Sequence, residues 1–121
     1  MKWRPTSESE IWEQLNKSYE RMSLPQRRLW EVIKIAPIKW SQLPYGDEGN
    51  GFWVVAIFGP TVIWYNDIKD GFNRSTYSIT GKIDEYHCNQ DNLEWTIQHV
   101  IDEIKDGIPV GGYASATKSI A

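Results

Sequence analysis

Two adjacent residues, His87 and Cys88, are the first candidates for chemistry, because a thiol beside an imidazole can form a catalytic dyad. Successive side chains of a strand point to opposite faces, so we do not expect these groups within hydrogen-bond distance. The sequence has no CxxC, HxxxH or HxH spacing, which argues against a zinc site. We therefore predict no catalytic, cofactor-binding or metal-binding residues. Cys88 is interpreted as a small buried residue, with a reactive thiol before a helix as the alternative.

Acidic and aromatic residues are concentrated between positions 45 and 70. Paired carboxylates supply the acid and the base in glycoside hydrolysis, and aromatic rings can stack on a sugar. If strands at about 52–58 and 61–66 are antiparallel neighbours, the loop before the first and the turn after the second meet at one edge. We call this candidate binding surface the acidic edge, and it comprises Tyr45, Asp47, Glu48, Trp53, Tyr65, Asp67 and Asp70. Its charges would steer a basic partner, and its rings would hold the complex.

The composition suits one globular domain, since the chain has 121 residues, of which 40% are hydrophobic and 24% are charged. Residues 1–44 carry 8 Lys/Arg and 5 Asp/Glu, whereas residues 45–121 carry 5 and 11. The acidic second half argues against nucleic-acid phosphates and favours a basic partner. No apolar run suits a membrane span, and the first ten residues lack the apolar core of a signal peptide. With a single cysteine, which fits a reducing compartment, we expect a cytoplasmic protein.

Two helices are predicted near the N-terminus. A capping-box pattern that begins at Ser7 predicts a helix over about 8–22. Its apolar stripe consists of Ile11, Trp12, Leu15, Tyr19 and Met22, which follow at helical spacing. A second start at Ser23 predicts a short helix that ends before Pro37. The alternation of apolar residues within 24–35 also fits a strand, so both assignments stay open for that segment.

A third helix is predicted near the C-terminus, with Asn89 as its N-cap. A glycine and a proline at positions 107 and 109 end it. We predict a single domain over residues 1–109 and a flexible tail over residues 110–121, where small polar residues show no periodicity. The apolar stripe of the helix consists of Leu93, Ile97, Val100, Ile101 and Ile104.

Strands are predicted at about 38–41, 52–58 and 61–66, the last two joined by a tight Gly-Pro turn. Residues 72–86 predict two further short strands or one long bent strand. The fold class is α+β: a single domain with one or two N-terminal helices, a four- to five-stranded antiparallel meander, and a C-terminal amphipathic helix packed on the sheet.

The strand at 52–58 is apolar on both faces, so either the chain covers both faces or one face binds a partner. Strict alternation places Phe52, Val54, Ala56 and Phe58 on one face, and Trp53, Val55 and Ile57 on the other.

Three functional hypotheses follow from these patterns. The first is a non-enzymatic protein-binding module, immunity- or adaptor-like, for a basic protein partner. The second is a small-molecule or carbohydrate-binding domain, or a weak hydrolase, that uses the aromatic and acidic residues around 45–70. The third is a self-associating structural protein that buries its second sheet face in a homodimer. None of the three requires a cofactor.

Overall fold

The computed structural model describes residues 3–42, 45 and 50–106. The four strands form one antiparallel sheet in the order β1-β2-β3-β4, and helical side chains pack against one face. The predicted α+β class, with helices at both ends of an antiparallel meander, is confirmed, and the described residues contain four strands. The predicted tail, residues 110–121, lies outside the described residues. The elements are α1 (Glu8–Arg21), α2 (Leu24–Ile33), β1 (Lys34–Trp40), β2 (Phe52–Phe58), β3 (Thr61–Asn66), β4 (Gly71–Thr76) and α3 (Leu93–Lys105).

Both N-terminal helices begin with the predicted capping box. The Ser7 hydroxyl accepts a hydrogen bond from the Glu10 backbone N–H over 3.2 Å, and the Glu10 carboxylate accepts one from the Ser7 N–H over 2.9 Å. Ser23 and Gln26 repeat this arrangement at the start of α2, with distances of 3.4 and 2.8 Å. These side chains satisfy donors that a helix N-terminus otherwise leaves unpaired.

The chain passes from α2 into β1 without a loop, which resolves the ambiguity of residues 24–35. The helix ends at Ile33, and Lys34 already has an extended backbone. The strand predicted at 38–41 therefore begins four residues too late, since β1 begins at Lys34. The spacing of apolar residues within 24–35 fits both a helix and a strand, so it does not show where the helix ends. The pairing of β1 with β2 is irregular between Lys34 and Ile38, around Pro37, as expected for a proline in an edge strand.

The hairpin strands β2 and β3 have the predicted bounds, but a β-bulge changes their faces. Residues 54–56 of β2 lie opposite only two residues of β3, so β2 contains one extra residue. Val55 and Ala56 consequently both pack in the cluster on the helical side, whereas Phe52 and Val54 pack in the other cluster. The predicted faces are wrong after Val55, because the bulge shifts the alternation by one residue: Ala56 and Phe58 pack on the helical side, and Ile57 packs on the side of Phe52.

The second face of the sheet is covered by the chain itself. Residues 77–86 fold back over it, burying Ile83, whose N–H donates to the carbonyl of Ser41 over 2.8 Å. The prediction of strands throughout residues 72–86 is wrong beyond Thr76, because Gly81 adopts a φ of 95° and turns the chain back across the sheet. The homodimer hypothesis assumed that the second face was open, and the chain supplies a cover of its own.

The last helix begins three residues later than predicted, with Asn92 rather than Asn89 as its N-cap. Asn89 instead pairs with β4: its backbone N–H donates to the Asn73 side-chain oxygen over 2.8 Å, and its carbonyl accepts from the Asn73 amide over 3.2 Å. The predicted apolar stripe is buried from its start through Val100. Ile104, at its end, is 54% exposed, so the helix extends beyond the core.

Candidate functional site

Four members of the acidic edge come together, but largely inside the protein. Trp53 and Tyr65 are neighbours across β2 and β3, and Tyr65 is buried. The Tyr65 hydroxyl accepts a hydrogen bond from the Gln14 amide over 3.0 Å and donates one to Asp70 over 3.3 Å. Burial, with the negative charge of Asp70 next, raises the pKa of Tyr65 to about 12. Asp70 is exposed, whereas Asp67 is buried.

The N-terminal segment lies over Asp67 and accounts for its burial. The Thr6 backbone N–H donates to Oδ2 of Asp67 over 2.9 Å, and the Trp3 indole donates to the Asp67 carbonyl over 2.9 Å. The Trp53 indole N–H donates to the Thr6 carbonyl over 2.7 Å. Loss of water raises the pKa of the Asp67 carboxyl above its ordinary value, although the Thr6 N–H and the charge of Lys39 act in the opposite direction. Trp53 and Asp67 therefore hold the N-terminal segment in place.

The remaining members of the acidic edge do not join this group. Tyr45 is exposed and stacks on Tyr86 with ring centroids 3.9 Å apart, and Tyr86 packs against the second core cluster. Asp47 and Glu48 lie outside the described residues. Of the described carboxylates of the acidic edge, Asp70 alone is exposed.

The Cys88 thiol and the His87 imidazole, considered above as a candidate catalytic dyad, also lie at the surface. Cys88 is exposed, so its interpretation as a buried residue is wrong, because residues 87–90 run irregularly outside the core. The His87 ring lies 4.0 Å from the Glu85 carboxylate. Within residues 3–42, 45 and 50–106, no group of three His, Cys, Asp or Glu side chains is arranged to hold a metal ion.

A polar cleft of about 310 Å³ lies beside β4. Arg74 forms an ion pair with Glu103 on α3, and the Glu85 carboxylate accepts from the Thr76 N–H over 2.8 Å. Most of its charged groups are thus engaged within the chain. We call it the polar cleft, and its lining includes Thr61, Arg74, Ser75, Glu85, His87 and Glu103.

A larger opening of about 380 Å³ lies at the opposite edge of the sheet, where α1, α2 and β1 meet. Its volume falls within the usual range for binding pockets. We call it the aromatic groove, and its lining includes Trp12, Leu15 and Tyr19 from α1, Trp30 and Glu31 from α2, and Lys34 from β1.

The side chains that line the aromatic groove differ in their exposure to solvent. Leu15 and Trp30 are buried, whereas Trp12 is 42% exposed. Tyr19 is partly buried and carries the Arg27 guanidinium 4.7 Å from its ring centroid. The groove is therefore a packed apolar depression with a large aromatic side chain left open to solvent.

One ion pair lies in the groove wall. The Lys34 ammonium is 2.7 Å from the Glu31 carboxylate, and both side chains are half-exposed. Their hydrogen bond holds the pKa of Glu31 below its ordinary value, and the Tyr19 hydroxyl adds to this effect.

Sequence reasoning assigned Trp12 to the apolar stripe of the first helix and missed its exposure. A signal was present: Ile11 and Trp12 are adjacent, and neighbouring helical positions point about 100° apart. Ile11 is fully buried, so Trp12 lies at the border of the stripe.

The chain combines a small α+β meander with an open aromatic groove. A scan against protein-family models gave no match, and searches of curated proteins and of solved structures found no significant similarity. None of the helices in the described part of the chain is long and apolar enough to cross a membrane.

Proposed function

We propose that this protein is a non-enzymatic protein-binding module and that it binds its partner through the aromatic groove. The observation that carries the proposal is the 42% exposure of Trp12 above a floor of buried apolar side chains. Tryptophan and tyrosine are enriched among the residues that contribute most to binding energy, especially where they border packed pockets. Trp12 would thus be the main anchor of the interface.

The lining of the groove supports a contact of appreciable size. The groove has a volume of about 380 Å³, and its lining brings together side chains of α1, α2 and β1. Trp12 and the partly buried Tyr19 supply aromatic surface that a partner covers. Removing this apolar area from water favours association.

The edge strand beside the groove favours side-chain docking over strand addition. β1 forms one edge of the sheet, and its pairing is irregular around Pro37. A proline lacks a backbone donor, and irregular edges are a known protection against pairing with another strand. We therefore propose that the partner inserts side chains into the groove.

A basic partner fits the charge of the whole molecule. The chain has a net charge of −3 because residues 45–121 carry an excess of acid, whereas residues 1–44, which supply the groove lining, carry an excess of Lys and Arg. The field of the whole molecule therefore accelerates encounter with a positively charged protein, and the groove residues have to supply the local attraction. An immunity- or adaptor-like role would use such an interaction.

The test compares two exposed tryptophans. Trp95 lies on α3, outside the groove lining, and is 56% exposed. Wild-type protein, Trp12→Ala and Trp95→Ala would each be used to capture binding proteins, and the captured protein would be purified and titrated. The proposal predicts at least about tenfold weaker binding for Trp12→Ala and little change for Trp95→Ala, because interface tryptophans commonly contribute more than about 1.4 kcal/mol. Equal binding by all three proteins would contradict the groove as the site.

The polar cleft favours a second candidate function, the binding of a small polar molecule. The His87 ring lines the cleft and is half-exposed, so a ligand could reach it. Ligand-observed NMR with panels of monosaccharides and amino acids, on wild-type protein and His87→Ala, tests this candidate. A signal that depends on His87 supports it, and no saturation transfer from any compound contradicts it.

A further inference from the structure

The walls of the aromatic groove and its single acid suit a positive charge. Trp12, Tyr19 and Trp30 line the groove together with Glu31. The face of an aromatic ring carries partial negative charge, so it attracts a cation and repels an anion. A carboxylate beside such rings adds a charge of the same sign.

Two positively charged side chains of the protein already contact these groove residues. The Lys34 ammonium lies 2.7 Å from the Glu31 carboxylate. The Arg27 guanidinium lies over Tyr19, 4.7 Å from the ring centroid. These two positively charged side chains make the kind of contact with groove residues that a cation of a partner would make.

Lys34 is the cation that a partner can replace. Its ion pair with Glu31 joins two half-exposed side chains three residues apart. Pairs of this kind contribute little to stability, since water solvates both partners well when they separate. Arg27 is held more firmly, because its guanidinium also donates to the carbonyls of Tyr19 and Glu20.

We propose that the aromatic groove recognises a lysine or arginine side chain of the partner. The cation lies against the Trp12 ring and binds the Glu31 carboxylate, Lys34 moves out into water, and Arg27 stays over the Tyr19 ring. This inference rests on the proposed function and specifies the chemistry of the partner at that site. It also gives the basic character of the partner a definite location.

The test uses n-butylammonium chloride, with n-butanol as a neutral probe of the same shape and sodium chloride to match ionic strength. Tryptophan indole N–H resonances would be followed by NMR, and the Trp12 signal would be assigned from Trp12→Phe. We expect n-butylammonium to shift the Trp12 signal with an affinity at least about fivefold higher than that of n-butanol, as expected for about 1 kcal/mol of cation–π and ionic attraction.

Two variants separate the charge of Glu31 from the charge of the surface in general. Glu31→Gln should weaken n-butylammonium binding about fivefold and leave n-butanol binding unchanged. Glu20→Gln removes an exposed acid of α1 that does not line the groove, so it should change neither.

The outcomes distinguish this inference from the proposed function. If both probes bind equally through Trp12, the groove still accepts side chains, but its preference for a cation is refuted. If neither probe shifts the Trp12 signal, the cation inference is also refuted, and the capture experiment with Trp12→Ala then decides the proposed function by itself.

Discussion

Asp67 is a buried carboxylate, and its Oδ2 oxygen accepts a hydrogen bond from the Thr6 backbone N–H. Loss of water is the main reason why its pKa lies above the ordinary value of 3.8. When the folded state has the higher pKa, the ionised form destabilises the protein, and this cost disappears once the group is protonated in both states. Asp67 should therefore make the free energy of unfolding depend on pH.

Replacing Asp67 by Asn tests this dependence. An asparagine oxygen still accepts from Thr6 but carries no charge, so the cost of burying a carboxylate is removed. Relative to Asp67→Asn, the wild-type protein should gain stability as the pH falls through the folded pKa towards 3.8. Urea denaturation of both proteins over a series of pH values measures the difference, which would be independent of pH if the carboxyl of Asp67 were solvated.

Asp67→Ala provides the control for the hydrogen bond itself. It removes the acceptor as well as the charge and leaves the Thr6 N–H without its partner. An unsatisfied backbone donor costs about 1–3 kcal/mol when it is buried, so this variant should be less stable than Asp67→Asn at every pH.

At the scale of elements, α3 packs through one face only. Ile97 is fully buried, whereas Ile104 is 54% exposed in the last turn. Ile97→Asp places an unpaired charge in the core and should abolish cooperative folding. Ile104→Asp should change the free energy of unfolding by no more than about 0.5 kcal/mol. Circular dichroism with thermal melting distinguishes the two, and similar melting temperatures would contradict the assigned face.

The elements that sequence predicted well are those with local causes. The capping boxes at Ser7 and Ser23 involve residues three apart, so the pattern alone contains the interaction. The bulge at Val55 has no such signal, because it depends on how β2 pairs with β3 and packs on both faces. Asn89 resembled an N-cap, but its partner Asn73 is distant in sequence.

The site was harder to predict than the fold because burial is a property of the whole molecule. Asp67 and Tyr65 have residue types that suggest a surface, yet the N-terminal segment and Gln14 cover them. Trp12 matched the spacing of a core residue, yet α2 and β1 leave it open. Neither outcome could be read from spacing along one element, since both depend on which elements lie next to each other.

At the scale of the whole molecule, residues 77–86 cover the second face of the sheet. Ile83 is the side chain of this segment that is buried in the second core cluster. Ile83 is fully buried against that face, whereas Ile79 in the same segment is 65% exposed. Ile83→Ala should lower the free energy of unfolding by about 2–5 kcal/mol, because it leaves a cavity beneath the segment. Ile79→Ala should change it by less than about 0.5 kcal/mol. Urea denaturation measures both values, and sedimentation of Ile83→Ala shows whether an uncovered face self-associates. If Ile83→Ala lowers the free energy of unfolding by less than about 1 kcal/mol and does not self-associate, the packing of Ile83 against the second face contributes little to stability, and this prediction is wrong.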